Sequence, residues 1–403
     1  ALPISFVIPD KPKNYELNSA LNLISNFGKI RKFNNININI FKYSDSSLKD
    51  KTNIIYISSK SNISMEILNK LSADEKLTIN KSALIKEIVS PYNSNYKMLI
   101  IIANDEANLI KATKALCYDN IVMQMNSSTQ IITTDFSINV KPKANSEIIN
   151  LQDLGYNDVL LGGLSRSQSE FSWQVPKGKI IKDGAKAVFK IRYSKLLDFN
   201  KSLITLYIND VPIASKRLSS KLADNDNLEV VIPKEYKEVN IYNVKIAFDL
   251  QMNGVNCKTK PDSSTWGLIS KESYLYLPLQ DKTATYFEDY PSPFVKDNSF
   301  NNVVFVLPDN VSSGDISIMA NTVAFLGHGI DDVGNICVIK SSEFSDAYKD
   351  NNIIAIGQGN KNTFIRNLND NLYIKFDSSF DKFLSNKDMN ILDDYSKDLG
   401  SLQ

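Results

Sequence analysis

Histidine is almost absent from this chain. His328 is the only one in 403 residues, which excludes His-rich metal sites and leaves any triad-type mechanism dependent on that one side chain. Cysteine is nearly as scarce. Cys117, Cys257 and Cys337 form no CxxC pair, so a structural zinc site is not expected. Their odd number leaves at least one unpaired, and three buried free thiols is the simplest reading. Excess charge is missing too. With 46 Lys+Arg against 45 Asp+Glu, there is no basic footprint of the kind that releases counterions from nucleic-acid phosphates. The longest strongly apolar run, Met98–Ala103, falls well short of the ~20 residues of a membrane helix. The opening Ala1-Leu2-Pro3 carries no basic n-region, so no signal peptide is read there, and the start looks processed or trimmed.

What is present is an internal repeat. Phe6-Val7-Ile8-Pro9-Asp10 recurs as Phe305-Val306-Leu307-Pro308-Asp309. Ile24-Ser25-Asn26-Phe27-Gly28 recurs as Val323-Ala324-Phe325-Leu326-Gly327. Asn53-Ile54-Ile55-Tyr56-Ile57 recurs as Asn352-Ile353-Ile354-Ala355-Ile356. The three matches share one offset, so two copies of a domain flank a different middle segment. Each copy reads as α/β. Ile4–Ile8 is a short apolar strand, and Leu17, Ala20, Leu21 and Ile24 share a helical face that Gly28 would end as a C′ glycine. Further strands are expected at Ile36–Phe41, Ile54–Ile57 and Met98–Ala103, the last central in its sheet. Ile63, Ile67, Leu68 and Leu71 belong to a second helix, and Asn104 or Asp105 caps a third that runs to about Cys117. The alternation implies a parallel sheet covered on both faces. In the second copy the counterpart of Met98–Ala103 would begin near Lys397, so that copy reads as incomplete.

The middle segment alternates with period two. Ala187, Phe189, Ile191 and Tyr193 interleave with Lys186, Lys190 and Arg192, and Tyr242 to Leu250 behaves likewise. Leu203–Ile208, the turn Asn209-Asp210 and Val211–Leu218 form an expected hairpin. A β sandwich or jelly roll follows. The whole chain then divides into residues 1–145 (α/β), 146–298 (β) and 299–403 (α/β).

Several motifs hint at chemistry, and each has a plainer explanation. Gly357-Gln358-Gly359 follows a strand as a phosphate turn would, yet Asn362 stands where a third glycine belongs. Asp224-Asn225-Asp226 has the spacing of a glycosyltransferase metal site, but polar loops often contain such triplets. Neither tryptophan sits in a Gln-x-x-Arg-Trp motif, so processive synthase activity is absent. Gly163-Leu164-Ser165-Arg166-Ser167 lacks the closing glycine of a nucleophile elbow. His328, between two glycines, reads as a helix-end residue. Aromatic faces stack on sugar rings, which makes Tyr156, Trp173 and Trp266 glycan-contact candidates. The competing reading places both tryptophans in the core.

The order of features across the middle segment resembles the family of accessory, or regulatory, subunits of bacterial cellulose synthase. Asp153-Leu154-Gly155 precedes Leu161-Gly162-Gly163, Phe171 and Val175-Pro176. Arg192-Tyr193-Ser194-Lys195-Leu196-Leu197 is similar to the family's tyrosine-serine-proline segment, with Lys195 replacing proline. Ser202–Asp210 is similar to its strand and turn, with Asp210 replacing glycine. Cys257, Trp266, Ser273-Tyr274-Leu275 and Pro291-Ser292-Pro293-Phe294 complete the series. The resemblance implies two flavodoxin-like α/β domains flanking a carbohydrate-binding jelly roll, here the family's second. The first jelly roll and a C-terminal membrane anchor would lie outside the sequence. It also implies a non-catalytic accessory role on the outer (or periplasmic) face of the membrane. The partners implied are a catalytic glycosyltransferase and its β-glucan, with no nucleic acid and no cofactor. Tyr290 and Phe294 join the glycan-contact candidates. No Arg-x-x-x-Arg segment supports cyclic di-GMP binding. The alternatives are a nucleotide- or sugar-nucleotide-binding α/β enzyme and a cell-surface adhesion protein.

Overall fold

The structure, a computed structural model, describes residues 4–30, 38–138, 147–163, 165–236, 239–252, 264–283, 286–330, 333 and 336–391. Cys257 and the segment around Lys397 lie outside them. Two compact units emerge, one from residues 1–143 with 293–403 and one from residues 144–292.

The first unit begins with β1 (Ile4–Ile8), α1 (Asn14–Ile30), β2 (Ile38–Lys42) and β3 (Ile54–Ser59). Two short helices follow, α2 (Met65–Asn69) and α3 (Ala73–Thr78), where one was expected. Ser72 starts the second afresh, in a reciprocal capping box with Glu75. Next come β4 (Ala83–Val89), β5 (Lys97–Ala103), α4 (Glu106–Ala115), α5 (Asp119–Val122) and β6 (Thr129–Ile132). The Asp105 carboxylate caps α4 by accepting the Asn108 N–H. The sheet runs β2-β1-β3-β5-β4-β6. β5 is an inner strand, as its apolar run requires. The sheet is mixed, however, because β4 runs antiparallel to both of its neighbours, β5 and β6. The short link between β4 and β5 allows a hairpin, whereas a parallel crossover needs about a dozen residues or more.

The C-terminal part of this unit repeats the opening. After the short pair β19 (Val295–Lys296) and β20 (Ser299–Phe300) come β21 (Val303–Leu307), α6 (Ser313–Leu326), β22 (Ile336–Lys340), β23 (Asn352–Ala355) and α7 (Thr363–Asn367). The strands form a small parallel sheet, β22-β21-β23. The two copies meet through α1 and α6, in a reciprocal contact. A Cβ on Gly28 would lie 2.1 Å from the Ala324 carbonyl oxygen, and one on Gly327 would lie 2.4 Å from that of Ser25. Gly28 is therefore not a C′ residue. It sits inside α1, which continues to Ile30, and its missing side chain lets two backbones touch. Burial of α1 on several sides explains its small polar residues. Asn18 is one of them, and its Oδ1 accepts the Val338 N–H from β22 at 2.8 Å.

The second unit is an antiparallel sandwich. Its strands are β7 (Ile148–Asn150), β8 (Val159–Gly162), β9 (Ser165–Gln174), β10 (Lys179–Ile181), β11 (Lys186–Tyr193), β12 (Leu203–Ile208), β13 (Val211–Arg217), β14 (Asp226–Val231), β15 (Ile241–Leu250), β16 (Trp266–Ile269), β17 (Tyr274–Tyr276) and β18 (Leu279–Asp281). One sheet runs β7-β17-β11-β16-β8, with β14 also on β11. The other runs β13-β12-β15-β9, and β10 pairs with β18. The expected hairpin is β12–β13. Asn209 and Asp210 both take positive φ in its turn, so Asp210 adopts the backbone that glycine would supply. Phe171, Phe189, Tyr193, Ile204, Leu206, Tyr242, Ile246 and Phe248 fill the space between the sheets.

Candidate functional site

In an open α/β sheet, ligands bind beyond the carboxyl ends of the strands where strand order reverses. In the first copy that place is the crevice between β1 and β3. Glu16 occupies it. One carboxylate oxygen accepts the Ser59 N–H at 2.6 Å. The other accepts the Lys13 N–H at 2.7 Å and the Asn62 amide at 2.9 Å. Glu16 is fully buried. The backbone donors that could cradle a phosphate are thus spent on the chain's own anion.

In the second copy Asn362 plays the same part between β21 and β23. Its amide donates to the carbonyls of Val306 and Ile356, and its oxygen accepts the N–H groups of Phe364 and Ile365 at the start of α7. Gly357 has φ +126°, and a Cβ there would meet Pro308 at 2.7 Å. The Arg366 guanidinium covers the carbonyls of Gly359 and Asn360. The glycines of Gly357-Gln358-Gly359 thus serve backbone geometry and packing.

The other motifs also resolve into structure. Asp224 is exposed and pairs with Lys195. Asp226 is buried and binds the Tyr193 hydroxyl at 2.7 Å and the Lys216 ammonium at 2.5 Å. The two carboxylates have separate partners and do not form one site. Ser165–Ser167 belong to the continuous strand β9, whereas a nucleophile elbow requires a strand-to-helix turn. His328 lies in a short 3-10 turn with its ring 5.6 Å from that of Phe325. Cys117 is buried and donates to the Thr113 carbonyl, and burial pushes the Cys337 thiol up from its ordinary value. Neither is an activated nucleophile.

The aromatic candidates separate. Trp173 faces the sandwich core, 5.8 Å from Tyr242, so its sequence assignment as a glycan contact gives way to a packing role. Tyr156 packs edge-on against Phe171 at 5.0 Å, and its hydroxyl accepts the Ser172 N–H. Trp266 alternates with the buried Gly267 and Ile269, so it lies on the outer face of the larger sheet. Its strand partner there is Gly162, while Leu268 pairs with the exposed Leu160 and with Arg192. Tyr274 and Tyr276 share that face. Tyr290 is half-buried, and burial pushes its hydroxyl up. Tyr290 and Phe294 fall in different compact units.

The smaller sheet presents a different outer face, which sequence reasoning missed. Arg166, Gln168, Glu170, Ser172 and Gln174 all point outward from β9 and are exposed. Asn243, Lys245, Ala247 and Asp249 stand beside them on β15, then Leu203, Thr205 and Tyr207 on β12. The Arg166 guanidinium donates to the Tyr207 hydroxyl and lies 5.1 Å from the ring centroid, with Lys245 at 5.9 Å. The alternation of Leu203–Ile208 carried the signal for Tyr207. In β9 serines occupy inward positions too, so no alternation is visible.

No curated protein matches the chain. Among solved structures, TmCBM61 in complex with β-1,4-galactotriose is similar at 14% identity and TM-score 0.17, over 31% of this chain and 69% of that one. An acetyl xylan esterase (Est2A) from the rumen bacterium Butyrivibrio proteoclasticus gives 11% and 0.19, over 40% and 36%. A family two carbohydrate esterase from Cellvibrio japonicus gives 11% and 0.16, over 42% and 40%. At such scores the likeness carries no argument about this chain. The family models do. Residues 1–131 match cellulose synthase BcsB, first FD domain, and residues 144–281 match cellulose synthase BcsB, first CBM domain. The second match corrects one expectation, since the sandwich aligns with the model of the family's first carbohydrate-binding domain and not its second. Two models of one family, in order and together spanning more than half of the residues, identify the chain as a member of the cellulose synthase BcsB family.

Proposed function

We propose that this protein is a non-catalytic accessory subunit of a membrane cellulose (β-glucan) synthase complex. It supports the catalytic glycosyltransferase and guides the emerging polymer on the outer (or periplasmic) side of the membrane. The observation that carries this reading is the ordered pair of BcsB matches, an FD domain followed by a CBM domain. The filled crevices give it physical support, because Glu16 and Asn362 take the donors and acceptors a nucleotide enzyme would offer its cofactor. A division into three domains, 1–145, 146–298 and 299–403, and a jelly-roll topology for the middle one belong to the same proposal. So does attachment to the membrane through a segment outside this sequence. No helix among the described residues is long and apolar enough to cross a membrane.

Deletion of the gene, with the partner synthase retained, should abolish polymer deposition. Polymer made at the normal level in its absence would refute the accessory role. Calorimetry with UDP-glucose, flavin mononucleotide and cyclic di-GMP should give no tight binding. Micromolar affinity for any of them would favour the nucleotide-enzyme reading.

A further inference from the structure

We propose that the β sandwich contacts glucan through the outer face of its smaller sheet, in a shallow trough that crosses the strands beside Tyr207. The proposal rests on the reading of this protein as a glucan-synthase subunit and adds the location and chemistry of the contact. Register defines the trough. The row Gln168–Ala247–Thr205–Ser215 runs across β9, β15, β12 and β13, and its last three members are small. Ala247 and Thr205 are buried although they point away from the core. The flanking rows are tall, with Arg166–Asp249–Leu203–Arg217 on one side and Glu170–Lys245–Tyr207 on the other. With strands about 4.8 Å apart, the four residues of the floor span roughly 14 Å. That length matches a short run of pyranose rings once the side chains that cover Ala247 and Thr205, Arg166 among them, swing aside.

The chemistry of the walls fits a neutral, hydroxyl-rich chain. Cations and carboxylates balance, with Arg166, Arg217 and Lys245 against Glu170, Asp249 and Asp210, and Lys245 pairs with Asp210. A polyanion would find no net attraction here. Ser172 and Asn243, linked at 2.8 Å, and Thr205 and Ser215, linked at 2.9 Å, present further hydroxyl and amide groups. Tyr207 supplies the aromatic ring on which the C–H face of a sugar stacks. Arg166 reaches from one wall to the Tyr207 ring on the other, so it bridges the trough. A sugar displaces the guanidinium from the ring and gains it as a hydroxyl donor. That exchange keeps affinity low, as suits a polymer that must keep moving.

The opposite outer face is built differently. Its exposed Leu160, Ile148 and Val231 accompany Trp266, Tyr274 and Tyr276, beside Arg192 and the Lys186–Glu229 and Lys190–Glu272 ion pairs.

The test measures binding of cellohexaose and of soluble hydroxyethylcellulose to the whole chain, by calorimetry and affinity electrophoresis. Tyr207→Ala should weaken binding about tenfold, and Ser215→Arg, which fills the trough without touching the core, should do the same. Trp266→Ala should change it less than about twofold. Far-ultraviolet circular dichroism and thermal melts establish that each variant is folded. Wild-type binding that survives both Tyr207→Ala and Ser215→Arg would overturn the location and leave the glucan reading intact, as would a loss confined to Trp266→Ala. Absence of wild-type binding to either glucan would overturn the contact itself. The accessory role would then stand or fall on the deletion experiment.

Discussion

Replacing Gly28 with alanine tests the central packing claim of the first unit, because two effects of opposite sign compete there. In an isolated helix the change stabilises by about 1 kcal/mol, since alanine restrains the unfolded chain and glycine does not. In this protein the new Cβ would stand 2.1 Å from the Ala324 carbonyl oxygen and 3.0 Å from its carbon. Both atoms are backbone, so no side-chain rotation relieves the clash. α1 and α6 must separate by roughly 1 Å, and overpacking of that kind costs about 1–3 kcal/mol, with rigid backbone at the upper end. The net expectation is destabilisation by about 1–2 kcal/mol. Gly327→Ala, at 2.4 Å from the Ser25 oxygen, should behave alike. The double variant should cost less than the sum, because one separation relieves both contacts. Gly314→Ala is the control. It lies exposed in the first turn of α6, and its Cβ would meet only the Ser312 hydroxyl at an ordinary 3.6 Å, so it should stabilise. Equilibrium urea unfolding reads all four variants. If Gly28→Ala stabilises as much as Gly314→Ala, the two copies do not pack through these glycines.

The filled crevice makes Glu16→Ala costly, by about 2–4 kcal/mol in the same assay, because the N–H groups of Lys13 and Ser59 lose their acceptor. A change below about 1 kcal/mol would mean that water replaces the carboxylate. Trp173→Ala should cost about 3–5 kcal/mol through the cavity it leaves in the sandwich core. Tyr207→Ala, at the half-exposed surface, should cost far less, and similar losses for the two would contradict the division into core and surface. For pH, the Lys282 ammonium holds the Asp289 carboxyl below its ordinary value. The Ser342 N–H does the same for Asp309. A depressed folded-state value means stability that is full above the unfolded value of about 3.9 and is lost as pH falls through the folded one. Thermal melts from about pH 6 down to about pH 2 should therefore show a steeper acid loss for wild type than for Asp289→Asn. Parallel curves would remove the ion pair from the account.

Much of the fold was legible in the residues alone. The apolar runs at Ile4–Ile8 and Met98–Ala103, the Asp105 cap and the Asn209-Asp210 turn are local patterns, and each became the expected element. The repeat was legible because both copies keep identical or similar residues at one offset. β4 was not, since Ala83–Val89 pairs antiparallel with β5 for reasons of loop length that periodicity does not record. The site residues were harder still. A tryptophan has one sequence signature whether its ring fills a core or faces solvent, and Trp173 and Trp266 took opposite answers.

The sequence by itself determined many of the strands and helices, though not β4, that the opening segment recurs near the end of the chain, and that catalytic motifs are missing or broken. These follow from residue type at short range. Only the tertiary structure decided that Gly28 and Gly327 serve one contact, that Glu16 fills its own crevice, and that Arg166 meets Tyr207 across a trough. Each joins residues tens to hundreds of positions apart. Neither residue of such a pair carries a mark of its partner until strand register and helix packing bring them within a few ångströms.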